Sequence, residues 1–118
     1  MKHILVADDN VAVAALVVRA LPDYEVTTAH NGLEALVLAK TLPCCDLVIA
    51  DYVMPALTGA ELATRLRIER PSVKTLLITG HGTEIDAAGA PTDDHLAKPF
   101  QIRDLRAKVA KLIGRAES

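Results

Sequence analysis

The segment Asp46–Gly59 reads DLVIADYVMPALTG and contains the clearest strand-and-turn pattern in the sequence. Leu47–Ala50 is a short, unbroken apolar run, which is typical of a strand buried on both faces of a parallel sheet. It ends in a carboxylate, Asp51, and the pairs Met54-Pro55 and Thr58-Gly59 then turn the chain. Because open α/β sheets bind ligands at the carboxyl ends of their strands, Asp51 is a candidate site residue. The alternative is that Asp51 is only a polar strand terminator.

The composition is that of one small domain with an aliphatic core. The chain has 118 residues, of which 51% are hydrophobic but only 3% are aromatic. Its formal net charge of -2 gives no bulk attraction to nucleic acid or to a membrane surface. We therefore expect a single domain over residues 1–118, with no output domain, no nucleic-acid partner and no membrane partner.

The sequence lacks the pattern of a membrane span or a signal peptide, and its cysteines indicate a reducing compartment. No run is long enough to span a bilayer, and the apolar start stops at Asp8-Asp9, too early for a signal peptide. Cys44 and Cys45 are adjacent, so we expect free thiols. The predicted location is the cytoplasm.

Strand patterns alternate with helix patterns along the whole chain. The expected strands are His3–Ala7, Tyr24–Ala29, Leu47–Ala50, Val73–Thr79 and His95–Ala97. Helical spacing predicts helices at 11–21, from Asn31-Gly32 to near Pro43, behind the capping box Thr58-x-x-Glu61, and at the end of the chain through Ile102, Leu105, Val109 and Leu112. The expected inward faces include Val13, Leu16 and Val17 in the first helix, and Leu33, Leu36 and Val37 in the second. This alternation predicts an α/β fold, a parallel sheet with helices on both faces.

One segment breaks the pattern. Residues 80–94 contain Gly80, Gly82, Gly89 and Pro91, and leave room for about two helical turns, roughly Thr83–Gly89. We expect a shortened or irregular fourth helix there, or a mobile loop.

Polar residues collect where the predicted strands end. They are Asp8, Asp9, Asp51, Thr79 and Lys98. Each alone has an ordinary explanation, as a helix cap, a β-prone threonine or a solvated lysine, but in this topology all five share one sheet edge. Three close carboxylates need a cation, and oxygen ligands with room for water favour Mg²⁺ over zinc.

A metal beside Lys98 and Thr79 is suited to a phosphoryl group. Mg²⁺ and the ammonium would neutralise phosphoryl charge, and the Thr79 hydroxyl would supply a hydrogen bond. Asp51 would then be the nucleophile that accepts the group.

These residues resemble the receiver domain of two-component response regulators, over essentially the whole chain. The resemblance rests on Asp8-Asp9, Asp51 within VIADYVMP, Thr79, and Lys98-Pro99-Phe100. It implies a flavodoxin-like, doubly wound (βα)5 three-layer sandwich with strand order 2-1-3-4-5.

The resemblance also assigns roles to single residues. Asp51 matches the aspartate that a histidine kinase or a phosphotransfer protein phosphorylates. Asp8 and Asp9 match the Mg²⁺-binding acids, with Asp51 and the backbone carbonyl of Val53 completing the metal ligands. Thr79 matches the switch hydroxyl and Lys98 the phosphoryl-binding lysine. Lys98-Pro99 matches the family's cis peptide.

The sequence departs from the family pattern in two places. An aromatic residue usually stands where this chain has His95, so a Thr79–His95 switch and a surface histidine without a switching role both stay open. The Gly- and Pro-rich segment shortens the face used for output and dimerisation, so we expect a monomer or a weak dimer. His81 matches a position that tunes phosphoryl lifetime.

Three other functions are weighed against a phosphorylated switch that contacts a downstream protein. A receiver-like scaffold that takes no phosphate remains the alternative. A phosphatase of the haloacid-dehalogenase kind is disfavoured because Val53 stands where its general acid would be, so no enzyme acting on outside substrates is expected. A nucleotide site is disfavoured because Asp8-Asp9 would repel phosphate.

Overall fold

The structure, a computed structural model, describes residues 2–80, 89 and 91–114. Its strands are β1 (His3–Ala7), β2 (Glu25–Ala29), β3 (Leu47–Asp51), β4 (Lys74–Thr79) and β5 (Asp94–Ala97). Its helices in the described ranges are α1 (Val11–Ala20), α2 (Gly32–Thr41), α3 (Gly59–Glu69) and α4 (Ile102–Ile113). The prediction for Thr83–Gly89 lies outside the described residues, apart from Gly89.

The five strands form one parallel sheet in the order β2-β1-β3-β4-β5, as expected. β3 is central and all five of its residues are buried, which matches its continuous apolar sequence. The sheet has an apolar cluster on each face, one with α2 and α3 and the other with α1 and α4. The predicted three-layer, doubly wound fold is confirmed.

The helix starts follow the capping signals in the sequence. The Asn10 side chain accepts hydrogen bonds from the N–H groups of Ala12 and Val13, and so caps α1. Thr58 and Glu61 form the predicted capping box at the start of α3. These caps fix the points at which the chain leaves the carboxyl edge of the sheet.

The predicted inward faces of α1 and α2 were partly wrong. Leu16, Leu33 and Val37 are 42%, 51% and 59% exposed. The buried positions of α2 are instead Gly32, Ala35, Leu36 and Ala39. Small residues let a helix approach the sheet closely, so α2 packs through its alanines and turns the larger side chains outward.

Two further expectations concern membranes and thiols. Within the described ranges, every helix is too short or too polar to span a bilayer.

Cys44 and Cys45 are both free, and burial raises the pKa of the Cys45 thiol to about 11. Cys45 therefore stays a protonated core residue at neutral pH.

Candidate functional site

Three carboxylates meet at the carboxyl edge of the sheet. Asp8 and Asp9 follow β1, and Asp51 is the last residue of the neighbouring strand β3. One carboxylate oxygen from each of the three lies within 4.8 Å of the others. The parallel pairing of β1 with β3 thus brings together acids from two distant parts of the sequence.

Asp8 is held in place by the backbone around it. The residue is only 2% exposed. Its N–H donates to the carbonyl of Ala29 at 3.1 Å, and its Oδ1 accepts from the N–H of Asn10 at 2.9 Å. Because Asn10 also caps α1, the start of that helix and the orientation of Asp8 are fixed together.

The electrostatics of the cluster favour a bound cation. Burial raises the pKa of Asp8, and the charges of Asp51 and Asp9 act in the same direction. The N–H of Asn10 and the ammonium of Lys98 oppose this shift but leave the pKa of Asp8 above its usual value. A divalent cation at this position would relieve the cost of keeping Asp8 ionised.

Lys98 contacts Asp51 directly. Its Nζ lies 3.0 Å from Asp51 Oδ2, and the two side chains are 32% and 11% exposed. The Lys98 N–H donates to the carbonyl of Thr79 at 2.7 Å, and the Lys98-Pro99 peptide bond is cis. The end of β4 therefore anchors the backbone from which the ammonium reaches Asp51.

The loop after Asp51 is fixed by close backbone contacts. The N–H of Tyr52 donates to the carbonyl of Ile78, and the N–H of Gly59 donates to the carbonyl of Tyr52, each at 2.9 Å. A Cβ on Gly59 would lie 2.5 Å from the Asp51 carbonyl oxygen. Glycine is thus required at this position for α3 to begin directly against the site.

Thr79, Val53 and His95 occupy different positions around the cluster. Thr79 ends β4 and is 2% exposed, whereas Val53 lies in the loop after β3 with a side chain 61% exposed. His95 pairs with Leu77, two residues before Thr79, so His95 and Thr79 project from the same face of the sheet. The switch role of this pair and the ligand role of the Val53 carbonyl stay predictions. His81 lies outside the described residues.

The structure thus brings together Asp8, Asp9, Asp51 and Lys98, as their placement at strand ends predicted. The close packing at Gly59 was not predicted, because Thr58-Gly59 has the sequence pattern of an ordinary turn. Its signal was a glycine in the first turn of a predicted helix, where alanine would favour helix formation.

The donor set fits Mg²⁺. All three clustered side chains offer carboxylate oxygens, and no histidine or cysteine joins them among the described residues. Hard oxygen donors of this kind suit Mg²⁺ better than zinc.

Comparisons with known proteins match most of the chain to one domain family. The model of the response regulator receiver domain family matches residues 4–110. The alkaline phosphatase synthesis transcriptional regulatory protein PhoP of Bacillus subtilis is 35% identical over 98% of this chain and 50% of its own length. The transcriptional regulatory protein CpxR homolog of Haemophilus influenzae is 34% identical over 100% of this chain and 53% of its own length.

Solved structures share the whole fold. A response regulator receiver domain protein from Clostridium thermocellum has a TM-score of 0.87 at 28% identity, covering 99% of this chain and 98% of its own. A CheY-like receiver domain protein from Methanospirillum hungatei has a TM-score of 0.87 at 27% identity, covering 99% and 97%. The chain spans about half the length of the curated relatives named above, but nearly all of these single domains.

Proposed function

This chain belongs to the response regulator receiver domain family, and from that premise we propose that Asp51 is its phosphoryl acceptor. The observation that carries the proposal is the contact between Lys98 Nζ and Asp51 Oδ2 at 3.0 Å, beside the carboxylates of Asp8 and Asp9. The proposed nucleophile Asp51, the cation Lys98 and the carboxylates that could bind a metal thus lie at one edge of the sheet. The donor would be a phosphorylated histidine of a kinase or of a phosphotransfer protein.

The proposed reaction is a single displacement at phosphorus. A carboxylate oxygen of Asp51 attacks the phosphorus atom, and the bond from phosphorus to the donor's imidazole nitrogen breaks. That nitrogen keeps the electron pair, and Asp51 becomes an acyl phosphate. Mg²⁺ held by Asp8, Asp9, Asp51 and the Val53 carbonyl would supply positive charge to the phosphoryl oxygens.

Lys98 has two tasks in this proposal. Before the reaction its ammonium neutralises and orients the Asp51 carboxylate, whose side chain is 11% exposed. Afterwards the same ammonium pairs with the phosphoryl oxygens, whose charge approaches minus two at neutral pH. The hydrogen bond from the Lys98 N–H to the Thr79 carbonyl would keep the lysine at the site during both steps.

The signal would leave the site through Thr79. Its hydroxyl would donate to the phosphoryl group and move the end of β4, which is next to β5 and His95. We hold coupling between Thr79 and His95 as a hypothesis, because both project from one face of the sheet. Unchanged phosphorylation-dependent partner binding in His95→Ala would end that hypothesis.

We further propose a signalling protein and not an enzyme acting on outside substrates. Val53 supplies no acid to a leaving group, so the chain would catalyse only its own phosphorylation and dephosphorylation. A downstream protein would contact the switched surface, and the domain would work in the cytoplasm as a monomer or weak dimer.

The names of two relatives bear on the expectation that the protein has no nucleic-acid partner. PhoP of Bacillus subtilis and the CpxR homolog of Haemophilus influenzae are transcriptional regulatory proteins. We therefore limit the proposed absence of a nucleic-acid partner to the receiver domain itself. A longer protein that contained this domain could act in transcription.

The test is phosphotransfer from a phosphorylated histidine kinase or phosphotransfer protein, followed by intact mass, with Mg²⁺ and with EDTA. The proposal expects one phosphoryl group per chain with Mg²⁺ and strongly slowed transfer with EDTA. The alternative, a scaffold that is never phosphorylated, expects no mass change in either buffer with any donor.

A further inference from the structure

A polar cleft lies at the amino edge of the sheet, the opposite edge from the acid cluster. Its walls are the second half of α3, the start of β4 and the segment that leads into β5, and its volume is about 180 Å³. None of the predicted site residues lines it. The cleft is therefore separate from the proposed phosphorylation site.

Two cationic side chains line this cleft. Arg67 comes from α3 and Lys74 from the first position of β4. Neither forms an ion pair with any other part of the chain that the structure describes. Arg67 Nη2 donates to the carbonyl of Pro91 at 3.1 Å, which holds the guanidinium across the cleft. Its other N–H donors have no partner among the described residues and could donate to a ligand.

Asp93 is the one acid among the described residues that line the cleft, and its carboxylate is already engaged. Its Oδ2 accepts from the Thr75 N–H at 2.8 Å and lies 3.3 Å from the Thr75 hydroxyl. The lining therefore carries two positive charges and one negative charge whose oxygen is bound to backbone. This balance favours an anion.

We propose that the cleft binds a small oxyanion between Arg67 and Lys74. Pockets for drug-sized molecules run from roughly 300 to 1,000 Å³, so a cleft of about 180 Å³ suits a phosphate-sized or short carboxylate ligand with its waters. Guanidinium and ammonium groups are the side chains that bind such oxygens through charge-assisted hydrogen bonds. The inference does not depend on phosphoryl transfer at Asp51.

Binding here would also stabilise the join between β4 and β5. Thr75, Thr92 and Asp93 already connect the two strands: the Thr92 hydroxyl donates to the Thr75 carbonyl at 3.1 Å, and the Asp93 N–H donates to the same carbonyl at 3.1 Å. An anion that bridged Arg67 and Lys74 would cross-link α3 to β4 beside this network. Added anion should therefore raise the melting temperature of the protein as well as shift its amide resonances.

The experiment is a titration of the full chain with inorganic phosphate, followed by amide NMR at constant ionic strength in Mg²⁺-free buffer. We expect the amide chemical shifts of Thr75 and Asp93 to change saturably with phosphate concentration. The amide chemical shift of Lys98 should change little. Lys74→Gln and Arg67→Gln should each weaken binding about 5- to 10-fold, because each removes one charge-assisted contact. Arg103→Gln, which removes an exposed cation from α4, is the matched control and should leave binding unchanged.

Three results would overturn this site: linear shifts that do not saturate, the same affinity in the double variant Arg67→Gln/Lys74→Gln, or saturable shifts centred on Lys98. Lys74→Gln leaves the Arg67–Pro91 contact in place, so it tests binding even if Arg67→Gln loosens the fold. Failure here would leave phosphorylation of Asp51 untouched, and failure of phosphorylation would leave these shifts untouched.

Discussion

The ammonium of Lys98 lies 3.0 Å from a carboxylate oxygen of Asp51, although the two residues are 47 positions apart in the sequence. They are not on neighbouring strands: Asp51 ends β3, Lys98 follows β5, and β4 runs between them. Lys98 spans that strand because its N–H is bound to the Thr79 carbonyl, at the end of β4. Asp51, the proposed nucleophile, and Thr79, the proposed switch residue, are thus both bound to Lys98.

Replacement of Lys98 with methionine should slow phosphorylation far more than it lowers stability. The pair is partly exposed, so its loss should change the free energy of unfolding by about 1 kcal/mol or less. Loss of a positive group at the transferring phosphoryl should lower the rate roughly 100-fold. Phosphorylation rates and thermal melts of Lys98→Met measure both effects. Lys40→Met, which removes an exposed pair with Glu69, is the control, and an equal rate in both variants would refute the role of Lys98.

Magnesium should stabilise the protein through the acid cluster. At 100-fold excess over its dissociation constant, a ligand of the native state contributes about 2.7 kcal/mol, which calorimetry detects as a higher melting temperature. Because burial raises the pKa of Asp8, its carboxylate form costs stability at neutral pH when no metal is bound.

Asp8→Asn should therefore melt at the same temperature as the wild type or higher without Mg²⁺, and should lose most of the stabilisation by Mg²⁺. Asp104→Asn removes a carboxylate in the first turn of α4 that is not a member of the acid cluster, and should keep the full stabilisation. A full Mg²⁺ effect in Asp8→Asn would show that the metal binds elsewhere.

Gly59→Ala should displace the backbone next to Asp51 and so disrupt the site. Its new Cβ would lie 2.5 Å from the Asp51 carbonyl oxygen and 2.5 Å from Leu77 Cδ1, so the backbone of β3 or α3 must move. Overpacking of this kind costs about 1–3 kcal/mol. The free energy of unfolding, measured with denaturant, and the rate of phosphorylation should both fall. Among the residues that the structure describes, a Cβ at Gly80 would meet nothing within 4 Å, so Gly80→Ala is the matched control; similar losses in both variants would argue against the close approach at Gly59.

The ion pair between Lys108 and Asp94 should make stability depend on pH in the acid range. Burial acts to raise the pKa of Asp94, but hydrogen bonds from the His95 N–H and from Lys108 outweigh it, so the pKa is lowered. A lowered pKa adds stability above the unfolded value, near 4, and that stability is lost as pH falls through the folded value.

Lys108→Met should thus be less stable than the wild type at neutral pH, by about 0.5–1 kcal/mol for a partly exposed pair. The difference in unfolding free energy should shrink as the pH drops below about 4. Urea unfolding at several pH values measures it. A difference that stays constant down to acid pH would mean that Lys108 stabilises by packing and not by its charge.

Much of the fold could be predicted because local signals agree with one another. The apolar run Leu47–Ala50 indicated a strand buried on both faces, and the Thr58–Glu61 box indicated where α3 begins. The site followed from topology: once the strands are parallel, Asp8, Asp51 and Lys98 must lie at one edge.

What could not be predicted depends on distances between elements. Leu33 and Val37 were placed inward by helical spacing, but α2 packs through Ala35 and Ala39 instead, since residue size sets how near a helix lies to the sheet. The close approach at Gly59 and the cleft at Arg67 and Lys74 likewise arise only when separate elements come together.

Phosphorylation of Asp51 is measured most directly by the mass of the intact protein after incubation with a small phosphoramidate donor and Mg²⁺. Wild type and Asp23→Asn, which alters an exposed carboxylate far from the cluster, should each gain one phosphoryl group. Asp51→Asn should gain none. A wild-type chain that never gains the mass, or an Asp51→Asn variant that gains it as the wild type does, would contradict the assignment of Asp51 as the phosphoryl acceptor.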